Sequence, residues 1–310
     1  MQVRRNDFDV TNRIQTTDPA AVQREIARLF RLLYPGAAHG PMDTAFADMI
    51  RLYRGDYPGY QACDTAYHDV QHVMDVTLAM ARLMDGYERS RRATPALGVR
   101  LFQLGIITAL FHDMGYVRAT TDTSAKNGAE YTLNHVSRGA AFLKSYLPNI
   151  GMGDLSLAGA ELVHFTGFEK RVADILVQDP LLRMLGSLLG SADIIAQMSD
   201  RCYLEKCRDR LYEEFVAGGI AVKETETGKE VVFDSGDDLV RKTPAFFDTA
   251  VNRLEYDLGG AYNYAATHFG GFNLYMHAAT KNVHFAKQIS VSATYSLRRA
   301  PPEPLTQYSR

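Results

Sequence analysis

The sequence predicts an all-α protein carrying one small β-hairpin. Three observations lead there. Apolar residues recur at helical spacing through most of the 310 residues. Aspartate-proline and proline-glycine pairs punctuate those runs where helices start and stop. Only one stretch, Ile220 to Phe233, alternates with the two-residue period of a strand. With 46% hydrophobic residues, the chain is long enough to bury a sizeable core.

Taken in order, Asp18-Pro19 opens a helix that runs to Tyr34, with an aspartate N-cap and proline in the first turn. Pro35-Gly36 ends it. Residues 42–54 form a second amphipathic helix, closed by Gly55 and Pro58. Residues 65–85 read as the third, with Val73, Val76, Ala79, Met80 and Leu83 at helical spacing. Residues 96–113 are apolar nearly all round, which predicts a central helix. A polar loop follows over 114–128, in which Asn127-Gly128 reads as a turn. Further helices are expected at 129–147, 154–165, 170–176, 180–197 and 201–217. The hairpin should turn near Thr227-Gly228, and helices resume at 243–256, 259–266 and 271–286.

This pattern divides into N-terminal helices packing on the core (1–59), a core (60–217), a hairpin with a C-terminal helical extension (218–300) and a disordered tail (301–310). The net charge of -2 gives no bulk field favouring a nucleic-acid polymer or a membrane surface. Cys63, Cys202 and Cys207 are too few and too odd for a disulfide framework and indicate a reducing compartment. The N-terminus lacks an apolar targeting segment. The longest apolar stretch, Leu97 to Phe111, is broken by Arg100 and Gln103 and falls short of the roughly 20 residues a bilayer needs. A cytoplasmic protein is expected, and a homodimer is compatible with the sequence.

The chemistry concentrates in six residues. His112-Asp113 ends the central apolar helix, with His72 upstream and His135, His164 and Asp193 downstream. The gaps of 40, 22, 29 and 29 residues each fit about one helical hairpin, so successive helices can point one ligand each at a common centre. Four imidazoles and two carboxylates can hold two divalent transition metals (Fe, Mn, Ni, Co or Zn), with magnesium compatible at one site. A shared carboxylate, Asp113, can bridge ions roughly 3.5–4 Å apart. Ligating histidines want an acceptor behind them, and Glu161, three residues before His164, is the candidate. His39, His268, His277 and His284 read as ordinary helix histidines.

These residues resemble the HD superfamily of metal-dependent phosphohydrolases, in which a histidine, a His-Asp pair and a later aspartate form the signature. The matching positions are His72, His112-Asp113 and Asp193. The segment Tyr67-His68-Asp69-Val70-Gln71-His72-Val73-Met74-Asp75-Val76 is similar to one in class I cyclic nucleotide phosphodiesterases. That resemblance implies a general acid at His68 and a metal ligand at His72. The segment from Ala192-Asp193 to Arg201-Cys202-Tyr203 resembles the aspartate segment of HD-GYP phosphodiesterases, which also supply histidines at places matching His135 and His164. The resemblance spans about residues 65–205 and implies an HD-domain helical bundle. Asp69 stands where the first group has asparagine, and Tyr116 where the second has lysine. No glutamine clamp for a cyclic nucleotide base and no Gly-Tyr-Pro triplet are present.

The resulting expectation is a phosphohydrolase or phosphodiesterase acting on a small phosphorylated substrate, a nucleotide included. A metal-bridging hydroxide attacks phosphorus, Asp113 bridges the ions and His68 protonates the leaving oxygen. Arg118, Lys126 and Arg201 are the candidate phosphate contacts, and Tyr116 can stack on a base or cap the core. The same residues are compatible with two alternatives: a mixed-valent di-iron oxygenase built on the same ligands, and a non-catalytic metal- or nucleotide-binding module.

Overall fold

The computed structural model describes residues 3–90, 95–225, 228–292 and 295–305. Twelve α-helices and one two-stranded antiparallel sheet make up the regular structure among these residues. The all-α expectation with a small hairpin holds.

Helix α1 (Pro19–Leu33) starts as the sequence requires: the Asp18 carboxylate accepts from the Ala20 N–H, and Pro19 occupies the first turn. Helix α2 (Gly40–Arg54) stops at Gly55, whose φ of 79° is the left-handed conformation that suits glycine. Helix α3 (Val70–Ser90) begins five residues later than expected. The Asp69 side chain accepts from the His72 N–H at 3.0 Å and caps the helix there. His68, within the expected span of 65–85, therefore precedes the helix. Helix α4 (Gly98–Leu110) is buried from Phe102 to Leu110. Each of its large apolar side chains contributes about 1.5–3 kcal/mol on burial.

Helix α3 shares the centre with α4. It packs against α1, α4, α7 (Pro180–Ser199) and α11 (Tyr264–His268). Helix α5 (His135–Asn149) lies against α6 (Ser156–Leu162) and against the turn Met114–Tyr116. Gly115 permits that second contact, because a Cβ there would sit 1.7 Å from the His135 carbonyl oxygen. The helix expected at 129–147 is split by this arrangement: a capped turn at Gly128–Tyr131, with Asn127 as its N-cap, precedes α5. The stretch expected as a helix at 170–176 holds only the single turn Val172–Asp174.

Helices α8 (Tyr203–Lys206) and α9 (Tyr212–Ala217) are joined by a wider π-type turn, Cys207–Leu211. The hairpin pairs β1 (Val222–Thr225) with β2 (Gly228–Val231). Its expected turn includes Thr227, which lies outside the described residues. Helix α10 (Gly236–Asn252) starts seven residues before the expected position. Ser235 caps it by accepting from Asp238 N–H, and Pro244 lies inside the helix. Helix α12 (Leu274–Ser290) packs on α7 and α10. The expected disordered tail is corrected for residues 301–305: Arg210 donates to the Pro302 carbonyl, and the Leu305 N–H donates to Asp69. Residues 306–310 lie outside the described part. One apolar cluster runs from Val22 to Ile289. No described helix is long and apolar enough to cross a membrane.

Candidate metal centre

The turn after α4 builds the centre. The helix frees the Ala109 carbonyl at its last turn, and His112 Nδ1 bonds it at 2.8 Å. A backbone carbonyl acceptor puts the proton on Nδ1 and leaves Nε2 as a lone-pair donor. Asp113 follows with φ -100° and ψ 10°, the bridge region where active-site residues often sit. His135 repeats the device at the start of α5, its Nδ1 bonding the Thr132 carbonyl at 2.7 Å. His72 comes from the first turn of α3, and Asp193 from the middle of α7 where it packs on α3.

Three atoms converge. His72 Nε2 and His112 Nε2 are 3.3 Å apart, and Asp113 Oδ2 is 3.2 Å from the first and 3.1 Å from the second. Donor atoms bound at about 2.1 Å to one ion stand roughly 3.0–3.4 Å from each other. Asp113 Oδ2 is buried and has no hydrogen-bond donor. The donor set and its spacing therefore fit a transition-metal ion. Asp193 Oδ1 lies next to the group, 3.5 Å from His72 Nε2 and 3.9 Å from His112 Nε2. On the other side, His135 Nε2 is 3.7 Å from Asp113 Oδ1. Asp113 thus turns one oxygen to the His72–His112 pair and the other to His135.

The electrostatics match. Burial alone would raise the Asp113 carboxyl, but the imidazoles of His112, His68 and His72 hold it well below the usual carboxylate range. Burial also opposes charge on His72, yet Asp113 and Asp193 lift it to about 10. His135 goes the other way, lowered because burial outweighs the pull of Asp113. The floor of the site demands positive charge at the His72–His112 end.

His68 stands beside these groups. Its Nδ1 is 2.5 Å from Glu214 Oε2, and Glu214 Oε1 accepts the Tyr67 N–H at 2.5 Å. The Tyr116 ring is stacked between His68 and His135, 4.4 Å from each. Of its two expected roles, Tyr116 takes the buried one. Sequence reasoning missed Glu214. It lies 146 residues from His68 on a short helix, and one glutamate among many carries no spacing signal.

Other expected residues fall elsewhere. His164 is buried with an unpartnered Nδ1, and no described carboxylate lies within ion-pair distance of it. Glu161 makes no hydrogen bond to His164 and is 3.7 Å from Lys170 instead. Arg118 donates to Asp64 and to the Ala125 carbonyl, which ties the loop together. Arg201 donates to Asn6. Lys126 is exposed, and its backbone N–H bonds Glu130. None of these three cations lines the cavity of about 880 Å³ that opens over His68, His72, Asp113, His135 and Asp193. His39 and His268 pair with Asp43 and Asp85.

Among solved structures, the chain is similar to the phosphodiesterase domain of a RhoPDE fusion protein from the choanoflagellate Salpingoeca rosetta. Identity is 12%, the match covers 94% of this chain and 96% of that one, and the TM-score is 0.51, so the likeness is one of fold. Among curated proteins nothing matches. A family profile described as Npun_R2479-like matches residues 37–264, which hold every residue of the centre described above. On that match, running over well more than half of its length, the chain belongs to the Npun_R2479-like family.

Proposed function

We propose that the protein is a metal-dependent phosphoric ester hydrolase of the HD type. One observation carries the reading: His72 and Asp113 of the His72–His112–Asp113 triangle and His68, backed by Glu214, line the same cavity. His72, His112, Asp113 and Asp193 would hold one ion. The two-sided placement of Asp113 supports a second ion at Asp113 Oδ1 and His135. A metal bound here supplies a nucleophilic water at neutral pH and charge neutralisation at phosphorus.

The chain's own residues supply the rest. With Nδ1 bonded to the Glu214 carboxylate, His68 can deliver a proton only from Nε2. Glu214 stabilises the charged imidazolium that a proton donor must be. Tyr116 fixes the ring plane by stacking. A proton donor for a leaving alkoxide serves ester hydrolysis and has no evident use in oxygen activation, which favours hydrolysis over the di-iron alternative.

Asp113→Ala tests the reading. Metal content should fall and turnover of a bis-aryl phosphate should drop by at least about 10²-fold. Full metal occupancy with undiminished turnover in that variant would remove the proposal.

A further inference from the structure

The cavity above the metal centre is the feature that the hydrolase reading leaves unused. Its volume of about 880 Å³ is near the top of the usual range for small-molecule sites. The floor is polar, but the walls are not. Phe215, Ile220, Val231, Phe233, Leu239 and Phe246 all line it. Phe215 and Phe233 are stacked, 5.8 Å between centroids, which joins α9 to the end of the hairpin. At the mouth, Val231 is 58% exposed and Phe246 41%. Large apolar side chains gathered around one opening mark a binding surface.

The charges on the walls disfavour a polyanion. Lys242 is the single lysine or arginine among the described lining residues, and it is engaged by Asp238 at 2.7 Å and the Val232 carbonyl at 2.8 Å. The remaining charged wall groups, Glu169 and Glu230, are acidic. Glu169 is held at the start of α5, where it accepts from Val136 and Ser137 N–H groups. Multiple phosphates on one substrate would meet no free cation beyond the metal floor. A single phosphate ester has what it needs at the floor, and the rest of the cavity rewards apolar surface.

We propose that the ligand of this site is an amphiphile: one phosphate ester head at the His/Asp floor and a long apolar body along Phe215, Phe233 and Phe246. The placement of the head rests on the hydrolase reading. The preference for an apolar body rests on the walls alone.

Non-hydrolysable alkylphosphonic acids, ethyl through decyl, test it by calorimetric binding to the protein as purified, with its metal content measured. Affinity should tighten by about threefold to fourfold per added methylene. The slope should persist after chelator treatment, because it belongs to the walls. Octylphosphonate should bind more tightly than adenosine 5′-monophosphate. Phe246→Asp should flatten the series. Val231→Asp, on the exposed strand, provides the same test if the first variant does not fold. A flat series in the unaltered protein, or tighter binding of the nucleotide than of octylphosphonate, overturns the proposal. Turnover of methyl and decyl p-nitrophenyl phosphates separates the two claims. A steep binding series with no turnover at full metal occupancy removes the hydrolase reading and supports the ligand class. Equal turnover of both esters with a flat binding series does the reverse.

Discussion

Glu214→Gln is the most discriminating change at this centre. Glu214 is 5% exposed and uses both oxygens, one on the Tyr67 N–H and one on His68 Nδ1. Glutamine keeps the shape, and its Oε1 can still accept from Tyr67. Its amide nitrogen then faces His68 Nδ1 as a donor, which forces the ring proton to Nε2 and removes the carboxylate that stabilises the imidazolium. The ring becomes a neutral imidazole, a poor acid. General acid catalysis is worth about 10²–10⁴-fold, or about 2.7–5.4 kcal/mol at 1.36 kcal/mol per decade. The loss should depend on the leaving group. With an alkyl alcohol leaving, kcat should fall by about that range. With p-nitrophenolate leaving, which departs without a proton, kcat should change by less than about tenfold. The assay is paired turnover of the two esters at matched metal content. Equal losses for both leaving groups would refute the role assigned to His68 and Glu214, and a variant that has lost its metal would assign Glu214 to the centre's assembly instead.

Three further outcomes are expected. Gly115→Ala would place a methyl 1.7 Å from the His135 carbonyl, backbone against backbone, so the turn and α5 must separate. Denaturant unfolding should show about 1–3 kcal/mol of lost stability, together with fewer metals bound per chain. Asp9→Asn breaks a buried pair, since Asp9 and Arg82 are bonded at 2.5 Å with both side chains 2% exposed, and should cost about 3–5 kcal/mol at neutral pH. Burial would raise Asp9, but Arg82 and the Ile14 N–H outweigh it and lower its pKa. The pair's contribution is therefore present above the ordinary value of about 3.9 and is lost as pH falls through the lower folded value. Urea unfolding curves of the two proteins should differ fully above about pH 4 and draw together as pH falls further, meeting only below the lowered folded value of Asp9. Arg118→Ala should leave KM within about twofold while lowering stability by no more than about 1 kcal/mol, because its partners are Asp64 and a loop carbonyl. A large rise in KM would return Arg118 to the substrate.

Helix starts were legible where a capping side chain directly precedes the apolar run, as at Asp18-Pro19 and Asp179-Pro180. They were misread where two signals compete. Pro244 looks like an opening residue, but Ser235 caps α10 earlier and the helix runs through the proline. The run at 65–85 looks continuous, yet Asp69 caps the chain from within it. The cations Arg118 and Arg201 show a further limit. Charge and position near a motif say nothing about partners, and here Asp64 and Asn6 claim them.

At the centre the same division has a physical origin. His112 and His135 are each oriented by a carbonyl three residues back, so their geometry is set locally by where a helix or turn ends. Such residues can be read along the chain, and the His-Asp pair at the end of an apolar helix was. The contacts that complete the site are long-range. Asp193 reaches His72 only because α7 packs on α3, and Glu214 reaches His68 across 146 residues. A local hydrogen bond fixes which nitrogen is free, and tertiary packing decides what that nitrogen meets. The His112 and His135 ligand atoms are therefore oriented by bonds within their own turns. Substitutions that disturb the α3–α7 contact should weaken metal binding while leaving the His112 and His135 backbone bonds in place.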